Sequence, residues 1–508
     1  MNPDMLAGLD LLLQVDALLY LAVGLILGFV VGVLPGFGGA NGMALVLPFA
    51  LGLRLEVALL LLVGISAGAL FAGAIPAILL NVPGTAGAAA TALDGHPMAK
   101  AGKADRAIGI ARMASVSGGT VAVIAVLLIL SPMASVAQTF GSREMFVVAV
   151  FGLTVIATVV GNNVWKGALV AVLGLLIAAM SASPLTGQPR MTFGFLGLYD
   201  AVPFIPALIG LFAISEMLLI ALTPRKANTE ASRLARRSLR DQGVEIVGGI
   251  RDTFRYPRTI VRSGLIGAGL GIIPGIGAAV ANFVAYGEAK KRSKHPERFG
   301  FGAEEGVVAS EASDNGVTAG IMVPTLTLGI PGSSEAAVLL AALYLQGIQP
   351  GPRVMVTHGA EAYAVLLGLL VACLLILPVG ILLAAPLTYV TRMPPADLVP
   401  LVLVACCIGA FAVRNSLFDV GLAVVFGAIG FVLRRYGFSV IPLVLAMILG
   451  PIAEANFLRA MRLGQNSLGY FFDSTTVRVL WLGLALVIAA QIRRYLRERS
   501  NRPSVQES

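Results

Sequence analysis

Charged side chains are scarce: Asp, Glu, Lys and Arg make up 12% of the 508 residues, about half their share in an ordinary soluble domain. Too little charge is present to cover a water-facing surface of this size. Histidine and cysteine are equally thin, with three of each. His96, His295 and His358 fall in separate expected loops without metal-ligand spacing. Cys373, Cys406 and Cys407 lie inside apolar runs and read as small buried hydrophobes. No G-x-x-x-x-G-K-[ST] sequence occurs, which argues against ATP as a direct energy source, and no cofactor is implied. Residues 1–16 contain no Lys or Arg ahead of the first apolar run, so the basic region of a cleavable signal peptide is missing and the first segment is expected to be retained.

In place of charge there is apolar length. Hydrophobic residues form 57% of the chain, and the mean hydropathy is +0.89. Uncharged runs such as Gly118 to Gln138, Met145 to Val160 and Gly167 to Pro184 reach or approach the roughly 20 residues that cross a bilayer. The expected fold is an all-α polytopic membrane protein with about 10–12 transmembrane helices.

The net charge of +9 gathers in short loops and the tail, a positive-inside pattern rather than a nucleic-acid surface. Residues 223–262 hold ten basic and four acidic side chains. They read as a cytoplasmic linker between a first transmembrane repeat, 1–222, and a second, 263–457. Residues 458–508 add a further helix and a tail carrying Arg493, Arg494, Arg497, Arg499 and Arg502, also expected in the cytoplasm.

The repeat is written in Pro-Gly breaks. Leu34-Pro35-Gly36-Phe37-Gly38 recurs as Ile273-Pro274-Gly275-Ile276-Gly277, and Val82-Pro83-Gly84-Thr85 recurs as Ile330-Pro331-Gly332-Ser333. Gly28 and Gly32 recur as Gly267 and Gly271, and Gly68 and Pro76 as Gly316 and Pro324. Paired interrupted hydrophobic segments mark the binding site of a secondary transporter. The basic cluster Lys290 to Arg298 follows Pro274-Gly275 so closely that Ser263 to Gly287 is expected to enter and leave by one face, as a re-entrant hairpin. Counting spans puts the two halves in opposite orientations, an inverted repeat. The depth of the first break stays open, because Leu11 to Leu34 is long enough to cross the membrane.

A Pro-Gly pair stops one helix and starts another, whose free N–H groups and dipole suit a carboxylate. The substrate-binding candidates are therefore Pro35, Gly36, Phe37, Gly38, Gly39 and Asn41; Asn81, Pro83, Gly84 and Thr85; Pro274, Gly275, Gly277 and Asn282; and Pro331, Gly332, Ser333 and Ser334. The bland alternative is that Pro and Gly only kink the helices. Ionisable groups at depth usually mark an ion path, so Glu311, Asp314 and Asn315 are the cation-coupling candidates, with Na⁺ near Asp314 and Asn315 or a proton on Glu311 or Asp314. The bland alternative is a solvated interfacial run. Glu216 and Glu454 are weaker candidates near span ends, where they could snorkel. Glycines at four-residue spacing, Gly24, Gly28, Gly32 and Gly267, Gly271, Gly275, speak for close helix packing. Gly64-Ile65-Ser66-Ala67-Gly68 matches a hydrolase elbow but lacks a strand before it.

At these residues the chain resembles the large membrane permease subunit of the tripartite tricarboxylate transporter family. The resemblance rests on Gly32 to Gly39, Asn81 to Thr85 with Leu93 to Ala99, Gly271 to Gly277, and Gly329 to Gly332 with Gln349 to Pro352. It covers nearly the whole chain. It implies a bacterial inner-membrane permease, not an enzyme, that works with a small four-helix membrane subunit and a periplasmic solute-binding protein. The implied activity is import of an organic carboxylate by Na⁺ or H⁺ symport. A stand-alone anion channel or exchanger, and an intramembrane enzyme using Ser66 or Glu311 and Asp314, are the rival readings.

Overall fold

A computed structural model describes residues 2–34, 36–159, 164–183, 186–222, 239–274, 276–383 and 395–500. Pro35, Gly275, residues 223–238 of the linker and the end of the tail, including Arg502, lie outside the described residues.

Apolar runs without internal turn signals become helices almost throughout. The first stretch holds α1 (Pro3–Leu12), α2 (Val15–Gly32), α3 (Gly39–Ala50), α4 (Leu55–Leu80), α5 (Ala88–Lys100), α6 (Ala104–Gln138), α7 (Ser142–Val159) and α8 (Val164–Ala178). A two-residue hairpin, Ser181–Ala182 with Pro189–Arg190, precedes α9 (Phe204–Leu208), a π-helical turn (Ile209–Ile214) and α10 (Ser215–Leu222). Beyond the linker come α11 (Leu239–Thr253), α12 (Pro257–Gly271), α13 (Gly277–Arg292), α14 (Glu304–Leu328), α15 (Ser334–Leu345), α16 (Val354–Thr357) and α17 (Gly359–Leu382). The chain closes with α18 (Pro395–Arg414), α19 (Leu417–Arg435), α20 (Ile441–Leu463) and α21 (Thr475–Ser500). Among the described residues, eight helices are long and apolar enough to cross a membrane. The protein is thus an all-α polytopic membrane protein, with shorter apolar helices such as α3 and α15 beside those spans.

Two compact units form. One joins the described residues of 1–137 and 203–440; the other joins those of 138–202 and 441–508. Each draws on both halves of the sequence. In the smaller unit Phe146, Phe457 and Phe471 form an aromatic cluster with centroids 5.2 to 5.4 Å apart. Arg190 there grips Glu454 with two hydrogen bonds of 2.6 and 3.2 Å.

The larger unit is organised by glycine. A Cβ at Gly24, Gly28 or Gly32 of α2 would strike the carbonyl oxygen of Leu61, Ile65 or Ala69 of α4. Missing side chains let the two backbones touch. Because both residue numbers climb together, α2 and α4 run in the same direction, and Gly32 ends level with Ala69, near the middle of the 26-residue α4. At 1.5 Å per residue that is about 20 Å from where α4 begins. Gly42 of α3 lies against Val31 of α2, so α3 turns back along its predecessor. The end of α2 and the start of α3 therefore lie beside the middle of α4.

The second half does the same. Gly267 and Gly271 of α12 sit on the carbonyls of Ser313 and Val317 of α14, and Val317 is near the middle of that 25-residue helix. Both long helices also end alike. Asn81 (φ 56°) and Gly329 (φ 69°) take the left-handed conformation, while the N–H of Val82 reaches Pro76 O at 3.4 Å and that of Ile330 reaches Pro324 O at 3.2 Å. This is a Schellman ending, for which Gly and Asn are the suited residues.

α4 is apolar all round and wholly buried across its span-length window. α14 is not apolar, yet every residue from Gly306 to Thr327 is buried. The solvated alternative for Ser310 to Asn315 is excluded. Polar groups at such a place persist when protein rather than lipid surrounds them.

Candidate functional site

Each break ends in a helix N-terminus. α3 starts after Gly38 (φ 33°), α5 after Gly87 and α13 after Ile276, none with a side-chain cap. Their first-turn N–H groups lack the acceptor that Ser, Asp or Asn normally supplies. α15 differs, because Ser333 Oγ accepts from Ala336 N at 3.2 Å. Gly36 (φ 84°) and Gly277 (φ 72°) adopt backbone conformations that favour glycine.

The tips of one half meet the companion loops of the other. Gly39, at the start of α3, has its missing Cβ 3.6 Å from Glu335 Cγ in the first turn of α15. Asn282 on α13 donates one amide to both Gly87 O (3.1 Å) and Asp314 Oδ1 (2.7 Å). α5 then runs alongside α14, with Gly87 at Asp314, Thr91 at Glu311 and Asp94 at Gly306, so those two helices point in opposite directions.

Glu311 and Asp314 are 1% exposed. Thr91 donates to Glu311 Oε1, and Ser115 donates to Oε2 at 2.9 Å. Among the described residues, neither carboxylate has a basic side chain within ion-pair distance. Such a cluster calls for a proton or a cation, since an isolated buried carboxylate is costly. The described residues contain no group of three or more His, Cys, Asp or Glu able to hold a metal ion, and the polar groups gathered here are the carboxylates of Glu311 and Asp314, the hydroxyls of Thr91 and Ser115 and the amide of Asn282.

Other sequence candidates separate by role. Asn282 joins the cluster and keeps its own Oδ1 without a hydrogen-bond partner. Asn315 faces elsewhere, with Cβ 3.0 Å from the missing Cβ of Gly119 on α6, and both atoms of its amide are unpartnered. It does not share the partners of Asp314. Asn81 is exposed and ends α4. Gly84 and Thr85 lock their loop onto α4, where a Cβ at Gly84 would lie 2.7 Å from Gly73 Cα. Phe37 and Asn41 are buried, Pro83 and Pro274 partly so, and Pro331 and Gly332 are buried against the core. Ser334 donates to Glu335 at 3.2 Å. Glu216 does not snorkel: it is 8% exposed, paired with Arg434 and next to Gly36. Ser66 sits in the middle of α4, without the strand-to-helix turn of a hydrolase elbow.

Four residues escaped sequence reasoning. Thr91 and Ser115 hold Glu311, and nothing local distinguishes them from other small polar residues in helices. Asp94, 0% exposed, accepts from the N–H groups of Gly300, Gly302 and Ala303 at 2.8 to 2.9 Å and from Tyr286 Oη at 2.8 Å. Its place in Leu93-Asp94-Gly95-His96-Pro97 was the available signal. Arg112, 1% exposed, donates to Gly380 O at 3.0 Å and lies 5.4 Å from the Phe71 ring centroid, with Nε and Nη1 unpartnered.

Broken segments that end beside the middles of two buried helices, together with buried carboxylates lacking basic partners among the described residues, are the pattern of a polytopic membrane protein built like a secondary transporter. Comparison with known proteins narrows the class. Residues 18–445 match the Tripartite tricarboxylate transporter TctA family, and the chain belongs to it. It is thereby the permease component of a tripartite transporter. An Agrobacterium vitis protein described as an uncharacterised 52.8 kDa protein in the TAR-I ttuC' 3' region is 34% identical over 473 residues, covering 92% of each chain. A second from that organism, an uncharacterised protein in the TAR-II ttuC' 3' region, is 34% identical over 225 residues, or 44% of this chain and 93% of its own. No solved structure matches.

Proposed function

We propose that this permease imports an organic carboxylate, a di- or tricarboxylate, by Na⁺ or H⁺ symport across the bacterial inner membrane, receiving it from a periplasmic binding protein and working beside a small four-helix subunit. The observation that carries the reading is the buried pair Glu311 and Asp314, held by hydroxyl and amide donors from both halves and lacking any basic partner among the described residues. The coupling cation neutralises this pair. The substrate carboxylates lie at the starts of α3, α5 and α13, which no side chain caps and where the helix dipoles favour an anion.

An inverted repeat accounts for the arrangement. The loop after α4 folds back until Thr85 reaches Gly73, and α5 then runs beside α4 in the same direction, with Gly95 at Ile78. It runs antiparallel to α14, so α4 and α14 oppose one another. The linker and tail are cytoplasmic in this reading.

Uptake of radiolabelled citrate and related carboxylates into proteoliposomes, with Na⁺ and pH gradients varied separately and purified binding protein added or omitted, tests the proposal. Transport that ignores both gradients and the binding protein would leave a channel or exchanger.

A further inference from the structure

The foot of the α12–α13 hairpin carries two adjoining cavities of opposite character. The first, about 890 Å³, is basic, with Arg258 and Arg262 from α12 facing Lys294 and Arg298 beyond α13. The second, about 700 Å³, is an apolar groove along α12 formed by Val261, Leu265 and Ile266. Pro257, Arg258 and Arg262 line both, so the two are continuous.

The positive charge of the first cavity is available. Arg255 is paired with Asp252 and Arg292 with Glu288. Among the described residues Arg258, Arg262, Lys294 and Arg298 have no carboxylate within ion-pair distance, and Arg262 Nε is buried without a partner. The acidic wall is already engaged: Glu305 accepts from Thr259 at 2.7 Å and from Ser293 at 2.6 Å. Glu304 lies 3.8 Å from Arg106.

The groove is bare. Val261 is 44% exposed and Leu265 is 46% exposed. Arg258, Val261, Arg262 and Leu265 follow i, i+3, i+4, i+7 spacing, one face of a helix. Along that face cationic residues at the helix start give way to apolar ones about 10 Å further on, the sequence met on passing from headgroup to acyl chain. A free anion has no use for the groove, and a neutral lipid has none for the arginines. Basic pockets at the ends of membrane helices take anionic lipid headgroups.

We propose that this foot is an anionic phospholipid site, with the phosphate held by Arg258 and Arg262 opposite Lys294 and Arg298 and an acyl chain along Val261 and Leu265. Native mass spectrometry of the detergent-purified full chain, titrated with phosphatidylglycerol, phosphatidylcholine or glycerol 3-phosphate, tests it. Phosphatidylglycerol should bind at least about tenfold tighter than either alternative, since each basic residue near the surface adds roughly a factor of five. R258Q/R262Q should abolish the preference, while R258K/R262K retains it with an unchanged melting temperature, separating loss of charge from loss of fold. Equal binding of the two lipids, equal binding of glycerol 3-phosphate, or preference surviving in R258Q/R262Q would overturn the assignment.

Discussion

Glu311 and Asp314 share one helix and one burden, charge without a counter-charge, but they differ in who holds them. Glu311 is gripped by two hydroxyls from the first half, Asp314 by one amide from the hairpin. Glu311→Gln and Asp314→Asn preserve shape and remove the ionisable group. Each should cut cation-driven uptake at least about tenfold with little change in melting temperature, because losing a coupling site need not disturb packing. Uptake at the parental rate with the same gradient dependence would remove both from the coupling role. Asp94 is a contrasting case. Its carboxylate satisfies three backbone N–H groups just before α14. Asp94→Ala leaves those donors without their shared acceptor, the N–H of Ala303 in a buried position, and charge-assisted bonds of this kind contribute about 1.5–3 kcal/mol. A loss of about 3 kcal/mol or more is expected, read as a lowered melting temperature and poor yield of folded protein.

Among elements, the paired α2–α4 and α12–α14 contacts rest on glycines whose Cβ would meet backbone, which cannot move aside. Gly28→Leu and Gly267→Leu should each prevent assembly, whereas Gly269→Ala and Gly287→Ala, where nothing lies within 4 Å, should not. Size-exclusion profiles of the four variants distinguish these outcomes. The breaks divide by the same reasoning. Gly332 faces only the Ile321 side chain, so Gly332→Ala should fold and report on transport; Gly84 is pinned by Gly32 and Gly73, so its substitution reports on folding. Much of this was legible beforehand. Four-residue glycine spacing signalled tight packing, since it marks one bare face of a helix, and Pro-Gly pairs signalled where helices stop, since they act on their neighbours in the chain. That Gly32 stands beside Ala69 of α4 was not legible, because it depends on how two helices lie against one another.

At the scale of the whole chain, Asp94 ties the helix that ends at Lys100 to the turn before α14, and in the proposed orientation both lie on the cytoplasmic face. Single cysteines replacing Lys103 and Lys294 should react with a membrane-impermeant maleimide only from the cytoplasmic side, and a cysteine replacing His358 only from the other. Labelling of the first two from opposite sides would dismantle the inverted arrangement.

The sequence alone determined that the protein is helical, membrane-embedded and duplicated around broken segments. Scarcity of charge, apolar length and helix-breaking pairs are properties of adjacent residues. Only the tertiary structure decided that Glu311 is held by Thr91 and Ser115, 220 and 196 residues away, that Asn315 turns from Asp314, and that Glu216 meets Arg434. These partners are chosen by how long helices lie against one another, and no short stretch of sequence carries that geometry.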